Sequence, residues 1–443
     1  MVLRRLDTAT ALAALLLALC VGVVISAEAV SLRTVQIALG VVLVAVVFLI
    51  DDDAAAIPRV LRPAPLIFLS ALVGSLSVGL LSDDQYESAY VGMWLCQITG
   101  FLLAIVWRPK LSRPLKSASR ESYPSLVDRY AVWMFWIGVA SGSAFFAVKG
   151  IPLFSGAVEQ GRVDVATSGT GYFRLLAFMA GPAAVLLAAV RGRRSWPYVL
   201  AAAALIALFG NRIPLVYLGL PIVAMVAIVG HRLTSRHLIA TAAIALAAVA
   251  AVGTYRVFSQ PDFRSYEEYR VDLAQDDKLG VALTSVTHYA EVVPANAVLV
   301  KQLVDNDKIP YKYGTTYGTL FLSALPGEQL SPDLLIKQVS GREFVGGGTP
   351  PTLMGEGYMN FGYPGIIFGA FLVMWLARYW ASVAIQSVGR GQGKVNAAIY
   401  GYVITWCTVA QVGGLAGAAT IPLAGFLLLI GIRWMARKDE ARS

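Results

Sequence analysis

Glu356 and Asn360 are polar side chains four residues apart, directly before a long apolar stretch. In a helix, residues four apart are neighbours on one face, so both side chains can reach each other or the same ligand. An ionisable residue at such a position is a candidate functional residue, and a carboxylate can orient or deprotonate a hydroxyl group. We expect Glu356 to act as a general base, with Asn360 and Tyr358 shaping its surroundings. The alternative is an interfacial carboxylate near a helix N-terminus.

His288 is the second candidate base, because imidazole is the most frequent proton acceptor in enzyme sites. The sequence contains no His-Glu-x-x-His motif and no Cys/His cluster, so it predicts no metal site and no cofactor. It also lacks a Walker A loop, a Rossmann glycine fingerprint and a Gly-x-Ser-x-Gly motif. This pattern argues against an ATPase or a soluble-type hydrolase.

Four arginines are candidates for binding phosphate, because the planar guanidinium group can bind phosphate oxygens in pairs. We expect at least two of them to converge on one outer cavity and hold a diphosphate. The alternative for any one of them is an interfacial side chain whose charge reaches water while its stem lies on apolar surface. The four are Arg162, Arg174, Arg212 and Arg342.

Composition indicates the fold class. Hydrophobic residues make up 57% of the chain and charged residues 14%, against roughly 25% charged residues in a soluble domain. Apolar runs of about 20 residues recur, the length that crosses a hydrocarbon core. We therefore expect an all-α polytopic membrane protein with about 12 transmembrane helices. The expected spans are residues 8–26, 35–50, 64–82, 89–107, 130–148, 172–190, 197–209, 213–230, 237–255, 362–381, 396–412 and 417–434.

Basic residues cluster in alternate loops, which under the positive-inside rule lie in the cytoplasm. Both termini are therefore expected to be cytoplasmic, and the net charge of +9 does not indicate nucleic-acid binding. Residues 197–230 are short for two spans, but the alternation favours a tight hairpin that turns at Gly210-Asn211-Arg212. The clusters are Arg4-Arg5, Arg59 with Arg62, and residues 108–120, 191–194, 232–236, 390–394 and 433–442.

The expected organisation has three parts. Residues 1–256 form a membrane core of about nine spans with an outer loop at 149–171, and residues 362–443 form three C-terminal spans and a cytoplasmic tail. Between them, residues 257–361 form a large outer loop domain of mostly short helices. This loop contains 13 of the 27 acidic residues and is too long to be a simple connector. We expect it to hold the working site.

At three places the sequence resembles the Wzy-type O-antigen and exopolysaccharide repeat-unit polymerases. In that family a similar G-E-x-Y-x-N-F-G-x-x-G run closes the large outer loop and starts the next span. The close resemblance covers about forty residues, and the layout of spans and loops extends it. The three matching runs are Ser323-Ala324-Leu325-Pro326, Gly346-Gly347-Gly348-Thr349-Pro350-Pro351 and Gly355-Glu356-Gly357-Tyr358-Met359-Asn360-Phe361-Gly362-Tyr363-Pro364-Gly365.

The resemblance implies a GT-C-like membrane glycosyltransferase of the inner membrane. It would polymerise polyprenyl-diphosphate-linked oligosaccharide units on the outer face of the bilayer, with a flippase and a chain-length regulator as further partners. Two alternatives stay open: a polysaccharide ligase of the same superfamily, and a flippase or permease for lipid-linked oligosaccharides. Some members of the family have a glycine eleven residues after an outer-loop arginine. Arg162 and Arg342 are followed at that distance by Phe173 and Leu353, so roles tied to that spacing do not transfer.

Overall fold

The computed structural model describes part of the chain, and every regular element in that part is helical. The all-α prediction is confirmed for these residues. The predicted spans 8–26 and 237–255, and all of 35–50 except two residues, lie outside them. The described residues are 40, 43, 62–76, 84–107, 122–154, 171–210, 213–228, 293–322, 331–342, 348–388, 392–416 and 420–442.

The helices follow the apolar runs of the sequence. Helices α1 to α7 are Pro63–Leu76, Asp84–Val106, Ser122–Lys149, Gly171–Phe178, Ala180–Arg191, Trp196–Leu208 and Ile213–Ile228. Helix α8 covers residues 293–305, and α9 to α13 are Thr315–Leu322, Pro332–Val339, Thr352–Gln386, Gly393–Gly413 and Thr420–Arg442. Short 3-10 turns are formed by Pro152–Phe154 and Gly192–Ser195.

Four helical stretches in the described residues are long and apolar enough to cross a membrane. This finding is consistent with a membrane protein, while the count of about 12 spans and the GT-C-like arrangement stay predictions. Two shorter apolar helices are Pro214–Ile228 and Ala424–Met435. The four long stretches are Ser88–Val106, Pro124–Phe154, Tyr172–Leu208 and Thr352–Gln386.

Helix α11 reverses direction within its length. Phe361 and Gly362 have non-helical backbone angles, and Gly362 has a φ of 66° that favours glycine. A Cβ atom on Gly365 would lie 2.1 Å from the carbonyl oxygen of Gly357. Residues eight apart in a straight helix would be separated by about 12 Å along its axis. Residues 352–360 (the first arm) and 363–386 (the second arm) therefore form a helical hairpin.

The hairpin corrects one sequence expectation. The sequence predicts a span that begins at residue 362, with Glu356 outside it and directly before its start. Instead, Glu356 lies inside the first arm, which folds back along the second arm. Pro364 stands at the start of the second arm, where a missing N–H is tolerated.

The second arm of α11 packs against both α2 and α12. At one end of the bundle, Arg378 donates a hydrogen bond of 2.8 Å to the carbonyl oxygen of Ile105 at the end of α2. Between α2 and α12, the buried side-chain amide of Gln97 donates to Gln411. Such polar contacts join helices whose other facing side chains are apolar.

Helix α12 runs back along the second arm, and its two termini lie at opposite ends of the bundle. Its N-terminus follows closely after the second arm, since a Cβ on Gly393 would lie 2.6 Å from the carbonyl oxygen of Ser387. Its 21 residues correspond to about 30 Å. Lys394 therefore lies at one end of the bundle, and Ala416 lies at the other.

The predicted pair of short helices in residues 197–230 is present. Helix α6 ends at Leu208, Gly210 has a φ of 70°, and α7 begins at Ile213. Asn211 and Arg212 lie outside the described residues. Whether both helices cross the membrane completely stays a prediction.

Candidate functional site

The Glu356 side chain is fully buried and connects three segments of the chain. The Thr316 hydroxyl, on α9, donates to Oε1 of Glu356 at 3.1 Å. The backbone N–H of Ala416 donates to both carboxylate oxygens, at 3.2 Å to Oε1 and 3.0 Å to Oε2. A buried carboxylate is costly unless such donors satisfy it. The first arm, α9 and the turn after α12 are therefore joined at this carboxylate.

The turn after α12 fits closely around this carboxylate. Gly414 has a φ of 74°, and a Cβ there would lie 2.5 Å from Oε2 of Glu356. Only glycine combines this backbone conformation with the available space. The turn directs the Ala416 N–H at the carboxylate. Sequence reasoning missed it, although the Gly413-Gly414 pair is a recognised turn signal.

Asn360 shares the Thr316 hydroxyl with Glu356. Its side-chain amide donates to Thr316 Oγ1 at 2.6 Å and to the Glu356 carbonyl oxygen at 2.8 Å. Its Oδ1 accepts the Gly314 N–H at 2.9 Å. The two residues thus lie on one face of the first arm, as their spacing predicts. Nothing in the local sequence distinguishes Thr316 from other threonines, so its role could not be predicted.

Residues 311–314 form a strap that is bonded to the end of the first arm. The backbone N–H groups of Lys312 and Tyr313 donate to the carbonyl oxygens of Met359 and Asn360 at 2.9 and 3.2 Å. These bonds use carbonyl groups that the end of a helix leaves without intrahelical partners. The strap is therefore held against the site by its backbone.

Four exposed aromatic side chains surround this junction, and we call them the aromatic patch. The rings of Tyr311 and Tyr313 are 6.3 Å apart, and Tyr313 is 75% exposed. Tyr358 lies behind the patch, with ring centroids 5.2 Å from Tyr363 and 6.4 Å from Tyr311. The patch consists of Tyr311, Tyr313, Phe361 and Tyr363.

Tyr358 is oriented by a charged pair on α8. Its hydroxyl donates to Asp305 Oδ1 at 2.6 Å, and the Lys301 ammonium group lies 5.3 Å from its ring centroid while also binding Asp305. Burial raises the pKa of Asp305, but the bonds from Lys301 and Tyr358 outweigh it and bring that pKa below its ordinary value. The Asp305 carboxylate is thereby kept ionised beside the aromatic patch.

Backbone strain occurs next to this site. In the described part of the chain, the non-glycine residues with positive φ are Asp307, Tyr313 and Thr352, at 56°, 46° and 64°. Such a conformation is unusual, above all for the β-branched Thr352. Its hydroxyl accepts the Gly355 N–H at 3.1 Å at the start of the first arm. Strained residues persist where the surroundings hold them, and they are frequent at functional sites.

The predicted phosphate-binding arginines lie in different surroundings. Arg342 donates to Asn296 Oδ1 at 3.2 Å, and Asn296 donates to the carbonyl oxygen of Pro350, directly before the first arm. Arg174 lies on α4, with its guanidinium carbon 5.8 Å from the Phe178 ring centroid. The structure does not describe Arg162, Arg212 or His288, so convergence of the arginines and the role of His288 stay predictions.

The described ranges contain no group of three or more His, Cys, Asp or Glu side chains that could hold a metal ion. The contacts around Glu356 are instead those of hydroxyl, amide and backbone N–H donors. Such an arrangement can bind and orient a hydroxyl group.

Comparison with known protein families identifies the same region. Residues 301–416 match the model of the family described as "Putative O-antigen polymerase". This segment matches the O-antigen polymerase family. The resemblance predicted from the sequence motif is thus confirmed. The match covers about a quarter of the chain, and neither the curated proteins nor the solved structures gave a significant match.

The O-antigen polymerase segment coincides with the site. It begins at Lys301, which binds Asp305 beside Tyr358, and it ends at Ala416, which donates to Glu356. Thr316 and Asn360 also fall within it. Together with the long apolar helices, the O-antigen polymerase match indicates a membrane protein of polysaccharide biosynthesis.

Proposed function

We propose that this protein is a membrane glycosyltransferase that polymerises polyprenyl-diphosphate-linked oligosaccharide repeat units. One observation carries the proposal: the O-antigen polymerase segment contains both a buried, hydrogen-bonded carboxylate and an exposed aromatic patch, joined by the strap. A polymerase of this kind needs a group that orients the acceptor hydroxyl and a surface that holds sugars. The segment offers a candidate for each.

The proposed reaction joins the growing chain to an incoming unit. A hydroxyl oxygen of the incoming unit attacks the anomeric carbon of the growing chain, and the bond from that carbon to the diphosphate oxygen breaks. The hydroxyl proton passes to the base, and the polyprenyl diphosphate leaves with the bonding electrons. A positioned base contributes typically about 10²–10⁴-fold to the rate of such a step.

Glu356 is the proposed base. The Thr316 hydroxyl already donates to Oε1 of Glu356 at 3.1 Å, which is the interaction that an acceptor hydroxyl would make. We propose that the acceptor hydroxyl replaces Thr316 when α9 moves away from the first arm. This movement is required because the Glu356 side chain has no exposed surface. His288 is the second candidate for the same role.

Arginines are the proposed binders of the diphosphate. Fixed positive charge stabilises a leaving diphosphate without a metal ion, and guanidinium groups bind its oxygens in pairs. Arg342 is the best supported of the four, because its partner Asn296 also bonds to Pro350 at the entrance to the first arm. Arg162, Arg174 and Arg212 are the further candidates.

The aromatic patch is the proposed platform for the sugars. Tyrosine combines an apolar ring with a hydroxyl group, which suits the apolar faces and polar edges of a sugar ring. Asp305 and Lys301 lie beside Tyr358 and add polar partners. These charges are unfavourable in hydrocarbon, so they favour a water-facing surface, where sugars can bind, over a surface that faces lipid chains.

The proposed orientation puts the Glu356 end of the bundle outside the cytoplasm and both termini inside. The basic residues Arg193 and Lys394 lie at the opposite end from Ala416, and the positive-inside rule assigns such residues to the cytoplasm. A flippase would then deliver lipid-linked units to the outer face, and a chain-length regulator would limit their extension.

Reconstitution of the full chain into liposomes with a lipid-linked repeat unit tests the proposal. A ladder of products that differ by one repeat unit is the expected result. Transfer of one preformed chain to a different lipid acceptor, without a ladder, would identify a ligase instead. Movement of intact units across the bilayer without any glycosidic product would identify a transporter.

A further inference from the structure

A cavity lies at the end of the bundle away from Glu356. It has a volume of about 250 Å³ and is formed between the turn after α5, the start of α6, helix α7 and the start of α12. Lys394 lines it, and Lys394 is separated from Ala416 by the length of α12, about 30 Å. This cavity is therefore separate from the proposed polymerisation site.

The exposed side of this cavity is positively charged. Arg193 and Lys394 line it, both are exposed, and the described lining contains no carboxylate. The structure describes no ion-pair partner for either cation. The neighbouring Arg191, by contrast, binds Asp128 and donates to Tyr198 at 2.9 Å. Arg191 fixes the turn, and among the described residues no carboxylate competes with an external anion for Arg193 or Lys394.

Two helices also begin at this cavity. Trp196 is the first residue of α6, and Lys394 is the second residue of α12. The partial positive charge of helix N-termini adds to that of the two cations. An anionic group is therefore favoured by the side chains and by the backbone together.

The inner walls of the cavity are apolar. Ile222, Met225 and Val226 of α7 line it together with Val199 of α6, and so does Trp196, which is 53% exposed. Tryptophan is frequent where a membrane protein meets lipid headgroups. The volume is below the roughly 300–1,000 Å³ of pockets that enclose a small molecule. It suits part of an amphiphile whose remainder stays in the bilayer.

We propose that this cavity binds an anionic phospholipid of the leaflet at that end of the bundle. The phosphate would lie between Arg193 and Lys394, and the first part of one acyl chain would lie along Ile222, Met225 and Val226. A free phosphate would leave the apolar walls unused. A zwitterionic lipid would gain less, because its ammonium group would lie near the two cations. The lipid would bridge α6, α7 and α12, and this role is independent of the polymerase activity.

Native mass spectrometry of the full chain in detergent tests the proposal. The probes are phosphatidylglycerol and phosphatidylcholine with matched acyl chains, added in equal amounts. We expect selective retention of one phosphatidylglycerol. Near a surface each cation contributes about 1 kcal/mol to the binding of an anionic lipid. Arg193→Gln and Lys394→Gln should therefore each weaken retention about fivefold, and the double variant about thirtyfold.

Two further variants complete the test. The matched control is Arg194→Gln with Lys438→Gln, which removes two exposed cations outside the cavity lining and should leave retention unchanged. Val226→Trp fills the cavity without changing its charge and should also prevent retention. Equal retention of both lipids, or an equal loss in the control and the Arg193/Lys394 double variant, would overturn the proposal. A Val226→Trp variant that binds normally would also overturn it.

Discussion

The backbones of Gly357 and Gly365 are in direct contact: a Cβ on Gly365 would lie 2.1 Å from the Gly357 carbonyl oxygen, and one on Gly357 would lie 2.8 Å from the Gly365 carbonyl carbon. This contact exists because the chain reverses at Phe361 and Gly362. It brings the two arms of α11 together and buries Glu356 and Asn360 on the first arm. The glycines of the family motif therefore form the hairpin that holds the candidate site.

The first prediction concerns this contact. Gly365→Ala should lower the free energy of unfolding by about 1–3 kcal/mol, because a methyl group cannot fit between the two arms. Thermal unfolding of the purified protein in detergent would measure the change. Gly219→Ala is the control, because Gly219 is a helical glycine with open space around its Cβ position. Gly219→Ala should raise the free energy of unfolding by about 0.4–1 kcal/mol. Equal effects at both positions would contradict the hairpin contact.

The second prediction concerns Glu356 and Thr316. Glu356→Gln keeps the size of the side chain but removes proton acceptance, so polymerisation should slow by about 10²–10⁴-fold. Thr316→Val removes the hydroxyl that donates to Oε1 of Glu356 and should leave much of the polymerisation rate intact. Rates of ladder formation in liposomes would measure both.

His288→Ala provides the comparison for the Glu356 prediction. Normal turnover in Glu356→Gln beside an inactive His288→Ala would reverse the assignment of the base. A Thr316→Val variant as inactive as Glu356→Gln would show that the Thr316 hydroxyl is more than a placeholder for the acceptor.

The third prediction concerns Arg342. Arg342→Lys keeps the charge but loses the planar pair of donors, and a hydrogen bond to a charged group is worth about 1.5–3 kcal/mol. Inorganic diphosphate should therefore inhibit the variant at least about tenfold less effectively, while membrane insertion stays normal. Arg194→Lys, at the other end of the bundle, is the control. Unchanged inhibition in the lysine variants of Arg342, Arg174, Arg162 and Arg212 would make these arginines structural.

The fourth prediction concerns the aromatic patch. Tyr313 is 75% exposed, so Tyr313→Leu should not disturb the core. If the ring holds a sugar, this change should raise KM for the lipid-linked unit and affect kcat less, whereas Tyr313→Phe should retain most of the binding. Steady-state kinetics would measure both values. Tyr172→Leu removes another exposed ring, on α4, and should leave KM unchanged. An equal rise in both leucine variants would point to bilayer anchoring instead.

The fifth prediction concerns acid conditions. The pKa of Asp305 is lowered in the folded protein, so its contribution to stability is present above the ordinary aspartate pKa of about 3.9. That contribution is lost as the pH falls through the lowered value. Unfolding measured between about pH 5 and pH 3 should depend less steeply on pH in Asp305→Asn. An equal pH dependence in both proteins would show that the bonds from Lys301 and Tyr358 do not persist in solution.

The sequence by itself predicted an all-helical membrane protein and the segment that contains the candidate site. Apolar runs predict helices because an α-helix satisfies its backbone polar groups within the segment, and helices α2, α3 and α12 follow those runs. The Gly-Glu-Gly-Tyr-Met-Asn-Phe-Gly run carried the resemblance to the polymerase family, and residues 301–416, which contain it, match that family's model. The spacing of Glu356 and Asn360 placed them on one helix face.

Only the tertiary structure decided the reversal of α11 and the partners of its carboxylate. A strongly apolar run after residue 362 predicts a span but not the direction from which the preceding helix approaches. Thr316 and Ala416 are 40 and 60 residues from Glu356, and no local pattern links such distant positions. Their contacts follow from the packing of α9 and α12 around the first arm, and packing depends on the whole chain.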